Sequence, residues 1–208
     1  MPFYRDTVYP HLVDKLGDPP PIKKVRQQMI PLAQGIVLEI GAGSGANFAH
    51  YDAARVNKLY ALEPNPGMIR LAERQQHKTT LNIEFIGLPG ERIPLEDASV
   101  DIVVSTFTLC TIPDILQALR GLARVLKPQG KLIFFELGLA PDHAVQRWQR
   151  RLEPLQHWLF QGLYLTRDIP ALLVHSGFQI EQMEAGYLSQ YPRSLSYCWW
   201  GTAAPPSH

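Results

Sequence analysis

A short apolar run, Val37-Leu38-Glu39-Ile40, enters three alternate glycines, Gly41, Gly43 and Gly45, and an acid, Glu63, closes the next apolar run. A strand turning sharply into a helix needs residues without Cβ where φ is positive or where a ligand touches backbone. Amides at a helix N-terminus would then face the ligand, favouring a carboxylate or phosphate there. The pattern reads as a nucleoside-cofactor site. The run Gly41 to Ala46 also satisfies the dinucleotide fingerprint, with an acid about 20 residues further on. An NAD-dependent oxidoreductase is therefore an alternative at this point.

The rest of the chain alternates strand and helix patterns. Strands are predicted near residues 36–40, 57–62, 81–86, 101–106 and 131–136, with helical stretches between them, which implies an α/β fold with a doubly wound, mostly parallel sheet. Residues 112–126 have apolar positions at helical spacing, with Pro113 early in the helix and Pro128 as its stop. Asp18-Pro19-Pro20-Pro21 separates an N-terminal arm (1–17) from a helix at 22–31. Residues 142–164, rich in Trp, Gln, Arg and His at their start, read as a helical insert. Thr166 is the expected N-cap of the next helix, ended by Ser176-Gly177. Residues 178–185 and 194–203 then form an antiparallel hairpin that closes the sheet, and 204–208 form a tail.

The 208 residues suit one domain, because 46% hydrophobic and 19% charged residues are ordinary for a chain that buries a sizeable core. A net charge of +1 carries no footprint for nucleic acid, so a DNA or RNA partner is disfavoured. Cys110 and Cys198 have neither metal-ligand nor disulfide spacing, which suits a reducing cytoplasm and gives no metal site. Pro2, Arg5 and Asp6 stand where a signal peptide would be apolar, and no apolar run approaches the roughly 20 residues of a membrane span. A cytoplasmic protein without an integral membrane segment is expected; the oligomeric state is not read from the sequence.

Four ordered motifs carry a family resemblance. They are Val37-Leu38-Glu39-Ile40-Gly41-Ala42-Gly43-Ser44-Gly45, Leu62-Glu63-Pro64-Asn65-Pro66-Gly67-Met68, Ser99-Val100-Asp101-Ile102-Val103-Val104-Ser105 and Leu126-Lys127-Pro128-Gln129-Gly130-Lys131-Leu132. Together they resemble the S-adenosylmethionine (SAM) methyltransferases, whose Rossmann-like sheet has seven strands with an antiparallel last one. Within that superfamily, Gly45-Ala46-Asn47-Phe48, Glu63-Pro64-Asn65-Pro66 and Thr106-Phe107-Thr108-Leu109-Cys110 resemble the small-molecule thiol methyltransferases. Quinone-ring C-methyltransferases share the four motifs. The resemblance implies SAM as cofactor, with S-adenosyl-L-homocysteine as product, and a cofactor site of Glu39, Gly41, Ala42, Gly43, Gly45, Asn47, Glu63, Pro64, Asn65, Met68, Thr106 and Phe107. Related enzymes often have an Asp before an Ala-Glu-x-Leu-Pro run, where this chain has Leu88-Pro89-Gly90-Glu91-Arg92. Adenine would then meet backbone at Gly90 and Glu91 and apolar walls at Leu88 and Met68, with Pro89 in the acid's place.

Methyl transfer from a sulfonium releases a neutral thioether, so alignment and water exclusion matter more than acid catalysis. His157 is the candidate general base, with Tyr4, His11 and Tyr164 behind it. A thiol that arrives as thiolate needs no base. Tyr4, Leu109, Trp158, Tyr164 and Arg167 are the candidate acceptor residues. Trp148, Phe160 and Leu163 would extend an aromatic wall for an apolar acceptor. Phe3, Tyr4, Tyr9 and His11 make the arm a candidate lid. The expected activity is methylation of a small molecule, with a thiol or other soft nucleophile first and quinone or phenol C- or O-methylation second. A SAM-binding module without catalysis is the remaining alternative.

Overall fold

The computed structural model describes residues 4–16, 18–160 and 162–206. Seven strands form one sheet: β1 (Gly35–Ile40), β2 (Val56–Leu62), β3 (Ile83–Ile86), β4 (Val100–Thr106), β5 (Leu126–Leu137), β6 (Gln179–Tyr187) and β7 (Tyr197–Ala204). Their order is β3-β2-β1-β4-β5-β7-β6, parallel from β3 to β5 and antiparallel on both sides of β7. Strand order reverses between β1 and β4, which opens a crevice at their carboxyl ends. Ile40 pairs with Leu62 and with Ser105, so the glycine loop, Glu63 and Thr106 emerge side by side at that edge.

Period-two alternation distributes the strand residues between two apolar cores. Val37, Val104 and Phe135 join one face with Ile22, Val25 and Phe48. Leu38, Val103 and Phe134 join the other with Leu119, Leu122 and Leu173. Strands covered on both faces read as continuous apolar runs, which is why they were legible in sequence.

The helices are α1 (Tyr9–Leu16), preceded by a π-helical turn at Tyr4–Val8, then α2 (Pro20–Met29), α3 (Pro66–Gln76), α4 (Ile115–Val125), α5 (His143–Leu159) and α6 (Ile169–His175). Among the described residues none is long and apolar enough to cross a membrane. Pro20 and Pro21 open α2 rather than break it, because first-turn positions have no intrahelical amide bond to lose. The α4 helix starts after Pro113, with Asp114 as N-cap accepting from the Gln117 amide at 2.9 Å, and its apolar stripe is core as expected. Thr166 is not the cap of α6. Asp168 caps it, accepting from the Ala171 amide, while the Thr166 amide and hydroxyl both donate to Glu153 on α5. The expected tail is also partly structured, since Ala204 pairs with Gln179 and Pro205 is buried.

Two of the motifs meet at the amino end of the sheet. Asp101 accepts from the Ile36 amide at 2.8 Å and from Lys127 Nζ at 2.7 Å, tying β4 to β1 and to the turn opening β5. They are structural anchors, remote from the crevice.

Leu119 is fully buried on α4, so Leu119→Ala should cost about 3 kcal/mol of unfolding free energy through lost transfer and a residual cavity. Urea titration measures this, and a loss below about 1 kcal/mol would mean that the α4 face is not the packed core described.

Candidate cofactor and acceptor site

The glycine loop is tied to β2 by the Gly41 and Ala42 amides, which both donate to the Leu62 carbonyl. Gly41 has φ +65°, and a Cβ there would lie 2.2 Å from Thr108 Oγ1, so the turn and the neighbouring loop both demand glycine. Gly43 has φ +57° and differs, because its Cβ would meet nothing nearer than the Gly41 carbonyl at 3.9 Å. That open side is a cradle in which a ligand can approach backbone.

After Gly45 the chain does not enter an α-helix, contrary to expectation; only a three-residue 3-10 turn, Phe48–His50, follows. The cause is Glu39, which draws Asn47 and Tyr51 inward and curls the segment. The helix N-terminus that would open directly after the loop is therefore replaced by this short turn, which removes one of the two supports for a dinucleotide pyrophosphate.

Three buried carboxylates organise this edge. Glu39, 1% exposed, accepts from Asn47 Nδ2 at 2.9 Å and from the Tyr51 hydroxyl at 2.8 Å. Burial pushes its pKa up to about 7, against the opposing pull of those two bonds and of the nearby Arg26 guanidinium. Asn47 also donates to Thr106 Oγ1 at 3.0 Å, bridging the glycine loop to the end of β4. Its own Oδ1 is buried with no partner among the described residues, an acceptor suited to an ammonium donor.

Glu63, 8% exposed, accepts from the Gly43 amide at 3.0 Å through Oε2 and from the Asn65 amide at 2.8 Å through Oε1. Burial raises its pKa and these two amides lower it. The amides fix the carboxylate plane at the Gly43 cradle, and each oxygen keeps a further lone pair, which suits two vicinal hydroxyls. Asn65 itself caps α3, accepting from the Gly67 and Met68 amides, with Pro66 pre-set for the first turn. Cradle, carboxylate and orphan acceptor together fit the ribose and methionyl parts of SAM.

Glu136 was not among the sequence candidates. It is fully buried at the end of β5 and accepts from Ser105 Oγ at 2.6 Å and from the amides of Thr108 and Cys110 at 3.1 and 3.2 Å. The loop after β4 is thereby wrapped around a carboxylate whose pKa burial raises and these bonds lower. An acid within Leu132-Ile133-Phe134-Phe135-Glu136 is the same signal that marked Glu39.

On the acceptor side, Phe107 has φ +53° and its ring lies 4.6 Å from Phe135. Cys110, Leu163 and Leu165 form a small apolar cluster, with Phe107 and Phe160 against it. Burial first, then Glu136, holds the Cys110 thiol well above its usual pKa, so it packs as a neutral thiol. The Tyr164 amide donates to the Cys110 carbonyl at 2.8 Å, joining the segment after α5 to this loop. His157, Tyr164 and Arg167 stand in a row: the His157 and Tyr164 rings meet edge-on with centres 4.7 Å apart, and the guanidinium lies 4.0 Å from the Tyr164 ring centre.

The arm lies across this edge. The Tyr4 hydroxyl donates to the Leu159 carbonyl at 3.0 Å, and the arm packs against α3, the helix that carries the buried Met68. The Tyr9 hydroxyl donates to the Phe160 carbonyl at 3.5 Å, and burial, then the charges of Glu63 and Cys110, hold it well above its usual pKa. Phe3 lies outside the described residues, and His11 is exposed.

Several candidate residues are placed elsewhere than expected. Leu109 is fully buried in the core, with its carbonyl accepting from Arg167 Nη1 and its amide facing Glu136. Arg167 also reaches the Pro113 carbonyl, so it braces the loop 107–113 rather than standing ready for an acidic acceptor. Trp158 is 75% exposed on the outer face of α5, away from the apolar cluster, and Trp148 is 56% exposed. The opposite face of α5 carries the docking residues Gln149, Leu152 and Glu153, which turns the tryptophans outward. His157 is exposed too. Glu91 turns from the crevice and accepts from the Asp114 amide, and with Pro89 it lines an open depression at the start of α4. Gly90 packs under Ile112 and Ile40, leaving Leu88 half-buried. Among the described residues no group of three or more ligating side chains gathers for a metal.

Comparison with known proteins gives the family and the fold. A model described as "Methyltransferase domain" matches residues 38–134. The chain is 35% identical over 152 residues to thiol S-methyltransferase TMT1B of Rattus norvegicus, covering 71% of this chain and 62% of that protein. It is 32% identical over 183 residues to the ubiquinone/menaquinone biosynthesis C-methyltransferase UbiE of Rickettsia prowazekii, covering 80% of this chain and 74% of that one. Thus it spans only about 60% of the length of the thiol methyltransferases it matches, 62% and 59% for the rat TMT1B and human TMT1A proteins. Among solved structures, a SAM-dependent methyltransferase from Aquifex aeolicus superposes with a TM-score of 0.64 at 21% identity, covering 94% of this chain and 98% of that one. The [4+2]-cyclase SpnF has the same fold, at a TM-score of 0.69 and 16% identity over 90% of this chain and 80% of that one.

Glu39 generates a pH prediction. Its pKa rises on folding from 4.5 to about 7, so the folded state holds the extra proton within that window. Stability contributed by this group is present below the unfolded value and is lost as pH rises through the folded one, by up to about 3 kcal/mol. Glu39→Gln should flatten the fall in stability between pH 5 and 7 relative to the parent, followed by urea unfolding at several pH values. Parallel profiles for the two proteins would show that Glu39 does not titrate in that range.

Proposed function

Because the chain belongs to the S-adenosylmethionine-dependent methyltransferase family, we propose that it transfers a methyl group from SAM to a small-molecule acceptor, with a thiol or another soft nucleophile of apolar character as that acceptor. The observation that carries the reading is the Glu63 carboxylate held by the Gly43 and Asn65 amides beside an open glycine cradle. SAM supplies a methyl group activated by the adjoining sulfonium. Glu63 would hold the ribose hydroxyls, Asn47 Oδ1 the methionyl ammonium, and Met68 and Leu88 the adenine side. Glu136 holds the loop 105–110 in place for the acceptor, and Tyr9 with the rest of the arm keeps water out.

The thiol preference is supported by the printed names of the relatives and by the apolar cluster around Cys110, Leu163 and Leu165. His157 is exposed at the end of that row, where it can take a proton from an acceptor that arrives protonated; a thiolate needs none. A second reading, ring C-methylation of a quinone-like acceptor, is favoured by the relative from Rickettsia prowazekii, which the chain covers more completely. Two free cysteines, both buried, accord with a cytoplasmic setting.

Calorimetry should give micromolar SAM binding, on the order of 7 to 9 kcal/mol. Glu63→Ala should weaken it at least tenfold, as expected for charge-assisted hydrogen bonds of roughly 1.5 to 3 kcal/mol each. Native circular dichroism with unchanged affinity would remove Glu63 from the site.

A panel of thiols, phenols and quinols assayed for S-adenosylhomocysteine release tests the acceptor. Turnover of quinols with none of any thiol would replace the first reading by the second, and release from no acceptor would leave a binding module.

Deleting residues 1–17 should leave SAM bound while lowering kcat/KM, since the arm bonds to the Leu159 and Phe160 carbonyls at the end of α5 and packs on α3. An unchanged kcat/KM for the best acceptor would show that the arm is not a lid.

A further inference from the structure

The chain has four tryptophans, and Trp148 and Trp158 stand exposed on one helix. Along α5, Trp148, Arg151, Leu155 and Trp158 follow at spacings of three, four and three, so they form one stripe. Trp148 is 56%, Leu155 54% and Trp158 75% exposed. Single exposed apolar residues are ordinary, but a helical stripe with two tryptophans is a surface awaiting a partner.

The helix cannot turn this stripe inward. Gln149 donates to the Gly138 carbonyl and accepts from the Ala140 amide, Leu152 packs on the small apolar cluster, and Glu153 takes the Thr166 amide and hydroxyl. The charges flanking the stripe are of one sign. Arg147, Arg150 and Arg151 are all exposed, and the Arg151 guanidinium lies 5.5 Å from the Trp148 ring centre. The one acid within α5 is Glu153, spent on its inner face, and Asp142 just before it is paired with Arg193.

We propose that the outer face of α5 docks this protein on an anionic lipid surface. A helix of 17 residues, about 25 Å long, with tryptophans and a leucine between arginines, matches a segment that lies flat in the headgroup layer. Indole rings favour that boundary because one edge is apolar and the N–H is wet, and arginines extend apolar stems while their heads reach phosphate. Anionic headgroups complement the three arginines. A twofold contact between copies of the chain would bring the same arginines face to face, which argues against self-association through this stripe. A basic face alone also suits nucleic acid, but a net charge of +1 leaves little beyond these residues to hold a phosphate backbone.

The geometry ties docking to the crevice. The carboxyl end of α5 receives the Tyr4 hydroxyl, and the segment after it bonds to the loop at Cys110. The docked face thus adjoins the entrance to the acceptor side, so an apolar acceptor dissolved in lipid would be delivered there. This last consequence rests on the proposed function; the docking itself does not.

The test is co-sedimentation of the full chain with unilamellar vesicles of phosphatidylcholine, alone or with about 30 mol% phosphatidylserine. Binding to the anionic vesicles should be at least tenfold tighter than to the neutral ones. The double change Trp148→Ala with Leu155→Ala should weaken it at least tenfold, and Arg147→Glu with Arg151→Glu should abolish the dependence on phosphatidylserine. SAM calorimetry, unchanged in both variants, checks that each is folded and keeps the outcome separate from acceptor chemistry. Three results would overturn the proposal: equal binding by parent and variants, a dimer that depends on Trp148 in light scattering without vesicle binding, or single-stranded RNA that binds in preference to the vesicles.

Discussion

A carboxylate buried at the carboxyl end of a parallel strand must find donors or lose its charge, and the crevice of this protein is built around three of them. Glu39, Glu63 and Glu136 stand at or just beyond the ends of β1, β2 and β5, and their oxygens are met by donors from loops that would otherwise have no fixed path. Glu39 gathers Asn47 and Tyr51 and through Asn47 reaches Thr106. Glu63 joins the glycine loop to the start of α3, and Glu136 wraps the loop after β4. Each bond does two things at once, satisfying a buried carboxylate and fixing the path of a loop at the carboxyl edge of the sheet. Removing one partner leaves a buried carboxylate short of donors, at the full cost of its desolvation.

Around this edge lie the coverings. Among the described residues the arm is held by the Tyr4 and Tyr9 hydroxyls and its packing on α3, whereas α5 is pinned by Gln149 and Glu153 on one face and exposes its tryptophans on the other. This division suits a transferase in which cofactor geometry stays constant while the acceptor enters and leaves. The likeness to a [4+2]-cyclase at a TM-score of 0.69 is a reminder that the sheet alone does not decide the reaction. The reading depends on Glu63, Asn47 and the open side of Gly43.

Much of the edge formed by the glycine turn and the start of α3 was legible because it depends on local geometry. Gly41 is required by a positive φ, Asn65-Pro66 by the chemistry of a helix start, and Glu63 by its place at a strand end, all within short stretches of chain. The expected helix after Gly45 failed for a tertiary reason, since Asn47 and Tyr51 are recruited by Glu39. Thr166 was read as a cap because the hydroxyl type suits that role, but Glu153, 13 residues away, competes for it. Glu136 went unnoticed because an acid after four apolar residues looks like the end of a strand until the loop that folds onto it is seen. Trp158 was placed in a pocket on residue type, and the docking of Gln149 on the opposite face turned it outward.

The sequence by itself determined the seven-stranded α/β scaffold, the glycine turn after β1 and the family, because strand alternation, positive-φ glycines and helix caps are set by interactions among near neighbours. Only the tertiary structure decided which partners each polar side chain meets. It moved Arg167 to loop carbonyls and Leu109 to the core, brought His157 beside Tyr164, and exposed the α5 stripe. The physical reason is that a buried donor or charge is satisfied by whatever the packing brings within about 3 Å, and sequence distance says nothing about that.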